Sequence, residues 1–108
     1  LGYGFNEKHY ERAAEKSFSD QNIKFKKQVP YKVFFREKEI GKFFFDFLID
    51  DKIIVELKKG NYFSRKNIHQ VKEYLKVANL KLAIIINFTP YGVKTIRILN
   101  PNNKESIK

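Results

Sequence analysis

The chain has 108 residues, 43% of them apolar and 16% aromatic, enough for one hydrophobic core and not for two, so a multidomain reading is excluded. It has no cysteine, which excludes disulfides, thiolate metal sites and cysteine nucleophiles and leans mildly towards the cytoplasm. Its 22 lysines and arginines against 12 aspartates and glutamates give a net charge of +10, which points to an anionic partner, although a lysine-rich surface kept for solubility would give the same balance.

Phe5 to Phe18 places Tyr10, Ala14 and Phe18 at helical spacing among charges, which predicts an amphipathic helix ended by Ser19-Asp20-Gln21-Asn22. Three β-rich runs follow, Phe25 to Phe35, Ile40 to Ile49 and Ile53 to Lys58, with turns expected at Glu37-Lys38-Glu39 and Asp50-Asp51-Lys52. Gly60 to Phe63 reads as a loop and Ser64 as the N-cap of a helix from about Arg65 to Asn79, with Ile68, Val71, Leu75 and Ala78 as its apolar stripe. Lys81 to Phe88 reads as a buried strand, Thr89 to Gly92 as a turn and Val93 to Leu99 as an edge strand. Asn100 to Lys104 begins a frayed tail. The order α-β-β-β-α-β-β predicts an α/β sandwich in which the strand after the second helix runs parallel to Ile53 to Lys58. The longest apolar run, Leu82 to Ile86, is far below the roughly 20 residues of a membrane span, and no signal peptide is visible. There is no methionine, and a start at Leu1-Gly2-Tyr3-Gly4 is expected of a piece with a segment before it.

The anomaly lies in charges within apolar strands: Asp46 in Phe43 to Ile49, and Glu56 with Lys58 in Ile53 to Lys58. Unpaired buried carboxylates are costly. A three-residue loop at Asp50-Asp51-Lys52 sets Ile49 opposite Ile53, which would put Asp46 opposite Glu56 and Phe44 opposite Lys58. A two-residue loop would separate the two carboxylates onto opposite faces. Like charges on one rung are destabilising, and a divalent cation held by two oxygen ligands, with a phosphate and waters, removes the conflict. Lys58, on the face of Glu56, could then hold a phosphate or orient the attacking water, which describes phosphodiester hydrolysis. The competing reading is an ordinary ion pair of Lys58 with Asp46 or Glu56 at an exposed hairpin end.

Asp46, nine intervening residues and then Glu56-Leu57-Lys58 resemble the core motif of the PD-(D/E)XK nuclease superfamily, whose element order also matches. Gly4-Phe5-Asn6-Glu7-Lys8-His9-Tyr10 and Gln28-Val29-Pro30 resemble, within it, the small proteins of the GxxExxY family, from Leu1 to about Asn100. The resemblance implies a restriction-endonuclease-like three-layer α/β core with a mixed central sheet over residues 1–100, and a flexible tail at 101–108. It further implies Asp46, Glu56, the Leu57 carbonyl and Glu7 as ligands of Mg²⁺ or Mn²⁺, and Lys58 as the residue that positions water. Gln70 and Tyr74, four apart on one helix face, are similar to the Gln-x-x-x-Tyr element of nucleases related to the RecB nuclease domain, where it lines the active site. The family usually has Pro where Tyr3 stands, and the loop 61–64 departs from its pattern.

The basic excess lies in the second half. Residues 1–54 carry 11 basic and 9 acidic side chains (+2), and residues 55–108 carry 11 basic and 3 acidic (+8). Lys59, Arg65, Lys66, Lys72 and Lys76 follow the second carboxylate, where a phosphate backbone would lie. Tyr62 and Phe63 could stack on bases or pack in the core. His9 and His69, 60 positions apart, read as surface histidines. The expectation is therefore a metal-dependent nuclease acting on nucleic acid, DNA foremost. Its alternatives are a non-catalytic or partner-activated binding module and a structure-selective homodimeric resolvase.

Overall fold

The computed structural model describes residues 4–60 and 65–102. Along the chain lie α1 (Glu7–Asp20), β1 (Phe25–Phe35), β2 (Lys38–Ile49), β3 (Ile53–Lys59), α2 (Arg65–Ala78), β4 (Leu82–Thr89) and β5 (Gly92–Leu99), the order expected from the sequence. The strands form one mixed sheet in the order β1-β2-β3-β4-β5, parallel between β3 and β4 and antiparallel elsewhere. Alternation along β3 sends Ile54 to one face and Val55 to the other. On the first face Val71 and Leu75 of α2 pack with Phe45, Ile54, Ala83, Ile85 and Ile98. On the second, Phe18 of α1 meets Phe25 and Phe47, and Tyr10 stacks on Phe88 with ring centroids 4.0 Å apart. The result is three layers, helix, sheet and helix. No described helix is long and apolar enough to cross a membrane.

Local chemistry shifts several boundaries. α1 starts after Asn6 because a capping box closes there: the Asn6 side chain accepts from the His9 amide at 3.0 Å, and the His9 ring accepts from the Asn6 amide at 3.4 Å. The helix runs on through Ser19-Asp20 and ends where Asn22 takes a φ of 58°. The turn expected at Glu37-Lys38-Glu39 lies instead at Arg36-Glu37, both with positive φ as a type I′ turn requires, so β2 begins at Lys38. The loop at Asp50-Asp51-Lys52 does set Ile49 opposite Ile53, with Asp50 and Asp51 both left-handed.

Asn100 is not frayed. It is buried, its amide donates to the Leu75 and Leu80 carbonyls at 3.0 and 2.8 Å, and it thereby closes the C-terminal end of α2. Ser64 as helix cap, the loop 61–63 with Tyr62 and Phe63, Tyr3, and the tail from 103 onward lie outside the described residues.

Candidate active site

The β2–β3 ladder is short. Ile49↔Ile53, Leu48↔Ile54 and Phe47↔Val55 pair, and the ladder ends there, one rung before Asp46 would face Glu56. The expected rung of Phe44 with Lys58 does not form, and Phe44 pairs only with Pro30 of β1. The physical reason is the Asp46 carboxylate itself: its Oδ2 accepts from the Leu57 amide at 2.8 Å, a side chain standing in for a β2 carbonyl as the strands part. On the other side of Asp46, Gln28 has a φ of +50°, and its flanking rungs are Lys27↔Phe47 and Val29↔Phe45. Alternation breaks at this point, since Phe47 packs against Phe18 of α1 while Phe45, two residues earlier, packs against Tyr74 of α2. Asp46 thus sits at a seam where β2 detaches from β3 and turns over against β1.

Glu56 is only 5% exposed, and its Oε1 has no hydrogen-bond partner among the described residues. Burial pushes its carboxyl up to about 9; the Asp46 charge and a hydrogen bond shared with Asp46 add to this, and Lys58 opposes it. The two side chains are therefore within hydrogen-bonding reach of each other, and Lys58, two residues on along β3, lies on the face of Glu56. Tyr74 joins them from α2: burial raises its hydroxyl first, and the charges of Glu56 and Asp46 raise it further. Its ring is fixed by stacking on Phe43, with centroids 4.0 Å apart and 12° between the planes.

A cleft of about 250 Å³ opens beside Asp46 on the α1 side, lined by Glu7, Lys8, Glu11, Gln28, Asp46 and Leu57. The first turn of α1 carries Glu7 there, and Glu11, one turn on, projects from the same helix face. Glu11 accepts from Gln28 Nε2 at 3.0 Å, which ties α1 to the left-handed residue across from Asp46. Glu11 is not among the residues expected at the site, although its spacing of four from Glu7 is a usable signal. Gln28 stands out in the sequence only by similarity, since nothing there announces a positive φ inside a strand.

The structure does not gather every expected residue. Gln70 is exposed on α2, and no hydrogen bond among the described residues ties it to either carboxylate. No group of three or more His, Asp or Glu side chains among the described residues is placed to hold one ion; Glu7 lines the cleft with Asp46 without closing a cluster with Asp46 and Glu56. Arg65, Lys66 and Lys72 are exposed. Lys59 donates to the Phe5 carbonyl at 2.9 Å and Lys76 pairs with Glu73 at 3.2 Å. His9 serves the α1 cap, and His69 is exposed 3.9 Å from Glu73. The donor set fits a small hard cation: two carboxylates, one with an orphaned buried oxygen, are what Mg²⁺ uses when it keeps several waters.

Comparison with known proteins gives a family and a fold. A profile of the PD-(D/E)XK nuclease superfamily matches residues 1–98. The solved structure of SSO0001 superposes with a TM-score of 0.69 at 17% identity, over 93% of this chain and 53% of that one. The chain thus spans about half the length of that protein, and the likeness is one of fold, a restriction-endonuclease-like one. A search of curated proteins finds no match.

Proposed function

The chain belongs to the PD-(D/E)XK nuclease superfamily, and from that membership we propose that it is a divalent-metal-dependent phosphodiesterase that hydrolyses nucleic acid, with DNA as its first substrate. The motif Gly4 to Tyr10 further suggests the GxxExxY group within the superfamily. One observation carries the reading: two carboxyl groups, Asp46 and Glu56, are pressed together at a parting of strands, with one Glu56 oxygen buried and unsatisfied. A structural role does not need this arrangement, because a buried carboxylate without a partner costs several kcal/mol.

In this reading Asp46, Glu56 and the Leu57 carbonyl hold Mg²⁺ or Mn²⁺, with Glu7 reaching the site from α1. When bound, the cation withdraws charge from the scissile phosphate and acidifies water. Lys58 offers its ammonium to the phosphate oxygens and to the attacking water. Tyr74 closes the α2 side with a hydroxyl held in its protonated, donating form, and Gln70 lies one turn before it along the same helix. The Leu57 amide fixes one Asp46 oxygen, and a carboxylate has lone pairs left beyond that bond for a cation. Arg65, Lys66, Lys72, Lys76 and Lys59 provide the cationic border for the phosphate backbone.

The test is incubation of purified protein with single-stranded, duplex and branched DNA and with RNA, with and without Mg²⁺ or Mn²⁺. Cleavage is expected with metal, and is expected to vanish on chelation and in Lys58→Ala. Salt-sensitive binding that is unaltered in Asp46→Ala, with no cleavage under any metal, would replace the enzyme by a binding module.

A further inference from the structure

Beyond Phe47↔Val55, β3 no longer pairs with β2, yet β1 and β2 stay paired as far as Phe35↔Lys38. They form a two-stranded arm that starts at Asp46 and leaves the body of the sheet. One face of the arm is closed, since Tyr31, Phe43 and Phe45 pack with one another and against Tyr74. Their neighbours Pro30, Lys32, Lys42 and Phe44 therefore project from the opposite face, on the α1 side where the cleft lies. α1 meets Phe25, Lys27, Gln28, Phe47 and Phe88 of the sheet, and Phe44 is left 49% exposed.

Two features of this face work against the isolated fold. Lys32 and Lys42 stand directly opposite each other on one rung, a like-charge pairing that destabilises a ladder. Beside them, across Pro30, the Phe44 ring is half exposed. Lys42 Nζ lies 5.4 Å from the centroid of the Phe44 ring, and no carboxylate among the described residues pairs with it. Lys32 has Glu39 at 3.6 Å, with both side chains exposed, where such a contact is worth little. An anion between the lysines relieves the repulsion, and a flat ring laid on Phe44 covers the apolar surface. A single ligand class brings both at this spacing: a nucleic-acid strand with its bases unpaired.

We propose that this arm is a docking surface for an unpaired stretch of the substrate, with a base stacked on Phe44 and phosphates held by Lys32 and Lys42. Phe44 is two residues from Asp46, about 7 Å along the strand, so the stacked base lies next to the phosphate at the carboxylates. The proposal rests on the nuclease reading above and narrows its substrate to single strands, or duplexes interrupted by a single-stranded segment. A second copy of the chain fits this face less well, because a two-fold contact would set the same lysines against each other.

The experiment measures binding of short labelled DNA by fluorescence anisotropy in chelator, so that nothing is cut. Single-stranded DNA is expected to bind more tightly than its duplex. Phe44→Ala is expected to weaken single-strand binding about tenfold, Phe44→Tyr to restore it, and an abasic strand to bind wild type and Phe44→Ala alike. Equal binding of single strand and duplex, or an unchanged Phe44→Ala, would overturn the proposal. So would a dimer by light scattering that Phe44→Ala converts to monomer, which gives the face to a second copy. The two readings fail separately. Metal-dependent cleavage that needs Glu56 and Lys58, with binding indifferent to Phe44, removes the arm alone. Binding that needs Phe44, with no cleavage under any metal, removes the nuclease alone.

Discussion

Asn100 and Glu56 are buried to nearly the same degree, 1% and 5% exposed, and the fold treats them in opposite ways. Asn100 has its hydrogen-bonding capacity used: its amide donates to two carbonyls, its Oδ1 accepts from the Asn102 amide at 2.9 Å, and its own amide bonds the Lys81 carbonyl. Glu56 has one oxygen without a partner among the described residues, and a second carboxyl, that of Asp46, within hydrogen-bonding reach. A polar group that is buried and satisfied fastens the structure. One that is buried and left wanting is a standing cost, which persists where a ligand removes it.

This contrast can be broken by mutation. The largest effect is expected from Glu56→Gln, which keeps shape and removes the ionisable carboxyl: cleavage of the best nucleic-acid substrate should fall at least about a hundredfold, while circular dichroism shows an intact fold. Activity close to wild type would end the comparison.

The pH dependence comes next. The Glu56 carboxyl is raised from 4.5 in the unfolded chain to about 9 in the folded one. Below about 4.5 both states hold the proton. As pH rises from there, the unfolded chain releases it and the native chain does not, so metal-free stability should fall by several kcal/mol up to pH 9 and then level off. Denaturant melts should show this slope in wild type and lose it in Glu56→Gln.

Asn100→Ala makes the converse case. Stranding the Leu80 carbonyl, and taking from the Leu75 carbonyl one of its two donors, should cost about 2 kcal/mol, read as a lower urea midpoint, with metal-dependent cleavage at low temperature preserved. The smallest effect is expected from Lys76→Ala: its pair with Glu73 is exposed, so stability should change by less than about 0.5 kcal/mol.

The element order was legible because periodicity changes cleanly from 3.6 to 2 and back, and the register of Ile49 with Ile53 followed from the length of the polar stretch between two apolar runs. Asp46, Glu56 and Lys58 stood out because charges within apolar strands violate the pattern. What stayed hidden depends on backbone conformation. Gln28 adopts a left-handed φ that its residue type does not announce, and Arg36-Glu37 form a tight turn without glycine. The same blindness let the rungs of Asp46 with Glu56 and of Phe44 with Lys58 be expected, because a side chain that captures the Leu57 amide and ends a ladder leaves no trace in spacing. Asn100 followed the last strand and read as tail, since its partners Leu75 and Leu80 come from a distant turn.

Crystals soaked in Mn²⁺ and measured for anomalous scattering ask whether the unpartnered oxygen of Glu56 is there to meet a cation. A peak is expected between Asp46 and Glu56 in wild type, about 2 Å from a carboxylate oxygen of each, and is expected to disappear in Glu56→Gln. An Asp46–Glu56 pair that stays hydrogen-bonded, with no peak at saturating Mn²⁺, would contradict it.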